Sequence, residues 1–286
     1  MMKIRNYACK QNEQKLLDEI PFAAEDVFSD RKKYKVALEL LSKNNSFVFA
    51  PLTNTIEAEL QGATVTENSF IRVKNPVIQS VDELASLQPF NYEVPHYKIL
   101  SECLQMHYDK PLIYEMSGIY TFLSFIISIE QVFRAFRKNA DLQNTIIKKV
   151  LENYFSFIQK LKSFNLKIIS LADPVASVDI IGSNELEKII ENFYIPLIKY
   201  ILDKTNFSIY LCPKLLYALE DLNKVSATTI NIQKTKTQDA IINMLDTKKI
   251  FGNICINANA EIEKVKIFSL NKNDKAIFNN KGNRNE

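Results

Sequence analysis

One short stretch, residues 167–182, constrains the fold more than any other part of the chain. A β-branched run at 168–171 ends abruptly in Ala172-Asp173-Pro174, and a loop of small residues follows. An amphipathic helix then opens at Ser183. A strand, an acidic loop and a helix form the repeating unit of a βα-barrel, in which the chemistry lies at the carboxyl ends of the strands. Asp173 stands at that position, so it is the first candidate functional residue.

Strand and helix patterns alternate along most of the chain. Amphipathic helices, the longest over residues 141–162, separate strands that are predicted at 46–50, 111–116, 168–171, 207–212, 225–230, 249–254 and 265–270. This alternation predicts an α/β fold with parallel strands, and a TIM (β/α)8-type barrel is the best single interpretation. We expect the barrel to be incomplete at its termini, because no strand is evident before Ser46.

The boundaries predict one domain. We expect the barrel to occupy residues 1–270, with a small β-excursion at 63–77, and a polar, asparagine-rich tail to follow at 271–286. A barrel that lacks a strand has unpaired edges. Either an unrecognised segment of this chain or a second chain, as in a homodimer, would then cover them.

The composition argues against several classes of partner. The chain has 286 residues, 47% of them apolar and 24% charged, as in an ordinary soluble globular protein. Its 36 basic and 33 acidic residues are mixed, which predicts no nucleic-acid binding. The first residues lack the apolar core of a signal peptide and the run 119–129 is too short to span a bilayer, so no membrane association is expected. Four scattered cysteines predict reduced thiols and a cytoplasmic protein.

Several loops, in order along residues 46–256, resemble the uroporphyrinogen decarboxylase superfamily. Residues 51–63, PLTNTIEAELQGA, stand where its methyltransferase branch has PFDxTxEAExxGA, and residues 118–121, GIYT, resemble its GPxT loop. Residues 173–181, DPVASVDII, match its DPxAS.DLI loop, and Gly252-Asn253 matches its late GN strand. The chain is most similar to the methylcobamide:coenzyme M methyltransferase branch. The resemblance implies a TIM barrel with a substrate cleft at the strand carboxyl ends.

The resemblance also implies a zinc ion, and at this point the sequence departs from the family. The methyltransferase branch holds zinc with an HxC pair, at the strand that ends here in Cys212, and with a cysteine near the last strand. Zinc thiolate chemistry needs several such ligands around one ion. Here the pair reads Tyr210-Leu211-Cys212, no cysteine occurs after residue 264, and Cys255 comes too early. Cys212 remains as a candidate metal ligand, and its alternative is a small buried hydrophobe.

Decarboxylation is the third and weakest interpretation. In the decarboxylase branch an aspartate stabilises the pyrrole substrate, assisted by a tyrosine and a late histidine. The aspartate position is Thr53, the tyrosine position is Phe125, and no histidine follows His107. A neutral threonine cannot stabilise a pyrrole cation electrostatically. His107 and His96 are predicted to be structural or surface residues.

The candidates for the substrate or corrinoid cleft are Asp173, Ser177, Glu115, Glu57, Tyr210 and Asn253. For Asp173 the alternative is an Asx-type turn, in which its carboxylate caps nearby amides before Pro174, and Ser177 also fits a helix start. Only one of Glu57 and Glu59 is expected to face the cleft, with a solvated carboxylate as the alternative. Glu115 lies inside an apolar strand, where a carboxylate is either paired or poised in the cleft.

Two functional hypotheses follow. In the first, the chain is a methyltransferase-like protein of corrinoid-linked one-carbon transfer with a degenerate zinc site, to which a corrinoid protein presents a methylcobamide. In the second, it is a non-catalytic scaffold that binds a corrinoid protein or a sister methyltransferase.

Overall fold

The computed structural model describes residues 19–65 and 77–271. Its centre is a seven-stranded sheet with the order β1-β2-β3-β4-β6-β7-β5. The strands are β1 (Val48–Ala50), β2 (Leu112–Ser117), β3 (Leu166–Ala172), β4 (Ser208–Leu211), β5 (Val225–Lys236), β6 (Ile250–Phe251) and β7 (Glu261–Leu270). The strands β1, β2, β3, β4 and β6 are parallel, whereas β7 is antiparallel to both β6 and β5.

Helices lie before β1 and between most of the successive strands. They are α1 (Ala24–Ser29), α2 (Arg31–Leu41), α3 (Ile56–Leu60), α4 (Val81–Leu84), α5 (Pro95–Leu104), α6 (Ile119–Ile126), α7 (Ile129–Lys138), α8 (Ala140–Leu161), α9 (Val178–Ile181), α10 (Ser183–Ile189), α11 (Ile195–Lys204), α12 (Pro213–Asp221) and α13 (Thr237–Ile242). A π-helical turn, Ile190–Tyr194, joins α10 to α11. Across residues 19–65 and 77–271 no single helix is long and apolar enough to cross a membrane, while α6 and α7 pass that test only together and meet at a bend of 119°.

The structure confirms the mixed α/β fold and corrects the sheet topology. Each predicted strand is present, but β5 and β7 are not parallel members of the sheet. They form an antiparallel ribbon, and β4 pairs directly with β6. Within the described residues the sheet is open, with β1 at one edge and β5 at the other, so a closed (β/α)8 barrel is not confirmed. Most of the predicted β-excursion at 63–77 and the tail from 272 lie outside the described residues.

Strand alternation divides the apolar residues between two cores. One face of the sheet packs against the connecting helices and forms the larger core. The other face, which would be the interior of a closed barrel, forms a second core of Phe47, Ile113, Ile168, Tyr210 and Phe251 with Ala240, Ile241, Ile256 and Val265. The side chains of Ala240 and Ile241 belong to α13. This helix therefore covers the inner face of the open sheet.

A buried glutamine fixes α13 against the start of β1. The Gln238 side chain is fully buried, and its Oε1 accepts a hydrogen bond from the Ser46 backbone N–H at 2.7 Å. Its Nε2 donates to Asn45 Oδ1 at 3.0 Å and to the Ile256 carbonyl at 2.9 Å. A buried amide is stable only when its polar atoms are paired. These bonds tie two regions of the chain that are almost two hundred residues apart in sequence.

Candidate functional site

The parallel register brings predicted residues together on the inner face of the sheet. Glu115 lies beside Ser170 on β3, and Ser170 lies beside Tyr210 on β4. We call these three residues the strand-end row. Ser170 and Tyr210 are buried, and Glu115 is half-buried. Cys212 follows β4, and its backbone N–H donates to the Leu171 carbonyl at 3.0 Å. The row and Cys212 together place one carboxylate, two hydroxyl groups and a thiol near the carboxyl edge, where α/β enzymes hold their substrates.

The Tyr210 hydroxyl forms a hydrogen bond within the chain. Its hydroxyl donates to the Ile254 carbonyl at 2.5 Å, and burial raises the pKa of Tyr210 far above its ordinary value. Tyr210 stands where the sequence resemblance predicts a histidine. The neutral phenol cannot serve as an imidazole does, because its oxygen has a raised pKa and its proton is donated to a carbonyl.

The thiol of Cys212 has one thiol neighbour. Burial raises the pKa of Cys212, and the nearby Cys255 raises it further. The structure thus brings Cys255 close to Cys212, although its sequence position seemed too early. Among the described residues no three His, Cys, Asp or Glu side chains converge on a point that could hold a metal ion. Two thiols beside a phenol do not fit a structural or catalytic zinc site. Cys212 as a metal ligand stays a prediction.

Asn253 shapes the loop after β6. Its backbone is left-handed, with φ of 69°, a conformation that asparagine tolerates better than most residues. Its carbonyl accepts a hydrogen bond from the Tyr217 hydroxyl at 3.1 Å. A cavity of about 10 Å³ lies beside Asn253, Tyr210 and Phe251. That volume corresponds to roughly one water molecule, so this cavity has no room for an organic substrate.

Asp173 does not join the strand-end row. Its carboxylate is buried on the helical side of the sheet and accepts four hydrogen bonds. The donors are the Tyr120 N–H at 2.9 Å, the Thr121 N–H at 3.0 Å, the Thr121 hydroxyl at 2.7 Å and the Tyr194 hydroxyl at 2.5 Å. Burial raises the pKa of Asp173, while the hydrogen bonds from Tyr194 and Thr121 lower it. The geometry is that of a capping carboxylate, but the capped amides are not the nearby ones of the Asx-type turn that the alternative interpretation predicted.

The capping by Asp173 acts on a helix far away in sequence. The backbone N–H groups that donate to it belong to the first turn of α6. First-turn N–H groups have no hydrogen-bond partner inside a helix. The residue before α6 is Gly118, which has no side chain to cap it. A Cβ on Gly118 would lie 2.6 Å from Asp173 Oδ2. The loops at 118–121 and 173–181, which both carry the sequence resemblance, therefore contact each other directly.

Ser177 and the two acidic residues of α3 are placed differently from one another. Ser177 is the buried residue before α9, in agreement with the helix-start interpretation. Glu57 and Glu59 are both buried, with exposed fractions of 1% and 3%. A solvated carboxylate, which was the alternative interpretation of Glu57, is therefore wrong. The short α3 is buried on every side, so alternation along it does not expose a face.

Glu57 is the most unusual carboxyl group of the described chain. Within residues 19–65 and 77–271 neither of its oxygens has a partner at hydrogen-bond geometry, and neither has the hydroxyl of Tyr114. Burial, together with the nearby charge of Glu59, raises the pKa of Glu57 to about 8. A carboxyl group in these surroundings is protonated at neutral pH.

Glu59 forms a network that sequence reasoning missed. Its Oε1 accepts a hydrogen bond from the Thr55 hydroxyl at 2.7 Å, and its Oε2 lies 2.7 Å from His96 Nδ1. The Thr53 and Thr55 hydroxyl oxygens are 3.0 Å apart. The Glu-Ala-Glu sequence between apolar residues was the available signal, because two carboxylates inside an apolar segment need partners. His107, in contrast, is a surface residue as predicted, with 89% of its side chain exposed.

Comparisons with known proteins support the fold. Models of protein families give no match to the chain, and neither do the curated proteins. Among solved structures, the chain is similar to a methyltransferase from Methanosarcina mazei, with a TM-score of 0.59 and 15% sequence identity. The similarity covers 73% of this chain and 64% of that protein, so the match spans less than two thirds of the methyltransferase. It shows a methyltransferase-like fold.

Proposed function

We propose that this chain is a methyltransferase-like protein of the uroporphyrinogen decarboxylase superfamily that takes part in corrinoid-linked one-carbon transfer. The similarity to a methyltransferase over 73% of the chain carries the proposal. The complementary fit of the loops at 118–121 and 173–181 supports it, because those loops also carry the family resemblance. We propose that the open sheet derives from a TIM barrel in which α13 has replaced the missing closure.

A non-catalytic role agrees best with the state of the candidate residues. The Asp173 carboxylate accepts four hydrogen bonds from within the chain, and the Tyr210 hydroxyl donates one to the Ile254 carbonyl. The pKa of Cys212 is raised by burial, whereas the nucleophile and metal ligand of thiol chemistry is the thiolate. We therefore favour a protein that binds a corrinoid protein or a sister methyltransferase and has a degenerate zinc site.

A catalytic methyltransferase is the second candidate. The strand-end row favours it, because Glu115 and Cys212 lie near the carboxyl edge. In that case a methylcobamide presented by a corrinoid protein would be the methyl donor and a thiol would be the acceptor. Uroporphyrinogen decarboxylation remains the weakest candidate, since a neutral hydroxyl stands at Thr53 beside Thr55.

Metal analysis separates the two roles. The purified wild-type protein and the Cys212→Ala variant are dialysed against a zinc solution, and the number of zinc ions bound per chain is measured by elemental mass spectrometry. The non-catalytic role predicts far less than one zinc per chain in both proteins. One zinc per wild-type chain that is lost in Cys212→Ala would contradict it.

The proposed partner is tested in native extract. Size-exclusion fractions are analysed for cobalt and for this chain. Co-elution of cobalt with the chain, at a mass above that of the chain itself, supports a corrinoid-protein complex. Complete separation of the two signals contradicts that partner.

A further inference from the structure

The β5 strand has an unusual position and composition for an edge strand. It is twelve residues long, and among the described residues no strand lies outside it. Residues 226–231 are exposed on both faces of the ribbon. The pairing of β5 with β7 is regular from Val225 to Asn231 and shifts between Asn231 and Thr235. A long exposed edge presents backbone N–H and C=O groups that can pair with another strand.

The two edges of the sheet differ in how their backbone groups are protected. At the β1 edge, side chains bind the backbone: the Ser42 hydroxyl accepts from the Phe49 N–H at 3.1 Å, and Gln238 accepts from the Ser46 N–H. Natural proteins commonly protect an edge strand with charged residues. Residues 225–233 of β5 include no charged residue, and its lysines, Lys234 and Lys236, stand only at the far end.

The charges near β5 fit a second copy of the same strand. Glu220 and Asp221 end α12 just before β5 begins, and Lys224, which follows them, is paired with Glu191 at 2.9 Å. Lys234 and Lys236 lie at the opposite end, where Lys234 is also paired with Glu261 at 2.8 Å. If two β5 strands run antiparallel about a two-fold axis, each lysine end approaches the acidic end of the other copy. A parallel arrangement would place lysines beside lysines. Opposite charges across a contact select one arrangement over another.

We propose that β5 is a homodimer interface, in which residues 225–231 pair antiparallel with the same residues of a second copy. The axis passes near Thr228, so Thr228 faces its own counterpart and Ser226 faces Ile230. Isologous contacts of this kind close after two subunits. Pairing also places the exposed ribbon within a wider sheet, and a two-stranded ribbon is marginally stable alone.

Sedimentation velocity over a wide range of protein concentrations tests the proposal. The wild-type protein is expected to form a dimer. In Thr228→Lys two positive charges face each other at the axis, and we expect the dimer dissociation constant to rise at least about tenfold. Ser269→Lys is the matched control: Ser269 is an exposed residue of β7, which already has strands on both sides, and this variant should remain a dimer. Circular dichroism must show that both variants are folded.

Cross-linking supplies a second readout. Under mild oxidation Thr228→Cys should form a disulfide-linked dimer that Ser269→Cys and the wild type, with the same native cysteines, do not form. A wild-type protein that remains a monomer at all concentrations overturns the proposal. A dimer that withstands Thr228→Lys and yields no cross-link through Thr228→Cys uses a different surface and also overturns it.

Discussion

The buried carboxyl group of Glu57 makes the stability of this protein depend on pH. Its pKa is raised from 4.5 to about 8 in the folded protein, mainly by burial. The folded state therefore holds this proton more tightly than the unfolded chain does. The stabilisation is complete below pH 4.5 and is lost progressively as the pH rises through 8.

The size of the effect follows from the pKa. At about 1.4 kcal/mol per pKa unit, the interval from 4.5 to about 8 corresponds to roughly 5 kcal/mol. Local relaxation around the ionised group reduces that figure, so we regard it as an upper value. The substitution Glu57→Gln removes the titration and keeps the shape of a protonated carboxyl group. We expect the variant to be more stable than the wild type at pH 8, by several kcal/mol.

The assay is urea-induced unfolding followed by circular dichroism, because the chain has no tryptophan. The free energy of unfolding is measured from pH 5 to 9 for the wild type, Glu57→Gln and the control Glu187→Gln, which replaces an exposed glutamate of α10. The difference between wild type and Glu57→Gln isolates Glu57 from other groups such as Asp173. Equal pH dependence in the wild type and Glu57→Gln would refute the reasoning, as would a Glu57→Gln variant that is less stable at pH 8.

Other substitutions test the packing around the candidate site, each by chemical denaturation at pH 7 unless stated. Asp173→Ala leaves several buried donors without an acceptor and should cost roughly 3 kcal/mol or more; a cost below 1 kcal/mol would refute the capping role. Gly118→Ala places a Cβ against the Asp173 carboxylate and should cost about 1–3 kcal/mol; an unchanged stability contradicts the close contact. Phe251→Ala empties part of the inner core and should cost about 3–5 kcal/mol; a smaller loss would mean that α13 packs loosely. Alkylation of Cys212 by iodoacetamide, followed by mass spectrometry, should be slower than that of a peptide thiol at pH 7, because burial raises its pKa; equal rates contradict this.

The existence of the strands could be predicted from the sequence, but their order could not. Runs such as 168–171 are β-branched and flanked by loop residues, which are local signals. The sequence of β5 is also β-branched, and nothing local tells whether such a strand lies inside a parallel sheet or at an antiparallel edge. That choice depends on which residues cover the inner face. Here Ala240 and Ile241 of α13, the helix that follows β5, cover it.

The sequence predicts where the candidate residues lie along the strands better than it predicts to which face of the sheet their side chains point. Register alone brings Glu115, Ser170 and Tyr210 together, because successive parallel strands align their ends. Asp173 follows a strand end in the same way, yet its side chain turns to the opposite side and caps α6. One residue along a strand separates the two faces. The burial of Glu57 beside Tyr114, with no hydrogen bond to it, depends on packing between distant segments that no spacing in the sequence reveals.

Methyl transfer tests the central claim most directly, since the claim is that the strand carboxyl ends no longer support thiol chemistry. Methylcobalamin, a thiol and zinc are mixed with the protein, and loss of the methyl group is followed by visible absorbance. Our account predicts the same rate with the protein as without it. A faster, thiol-dependent reaction that disappears in Cys212→Ala would contradict the account and establish a catalytic methyltransferase.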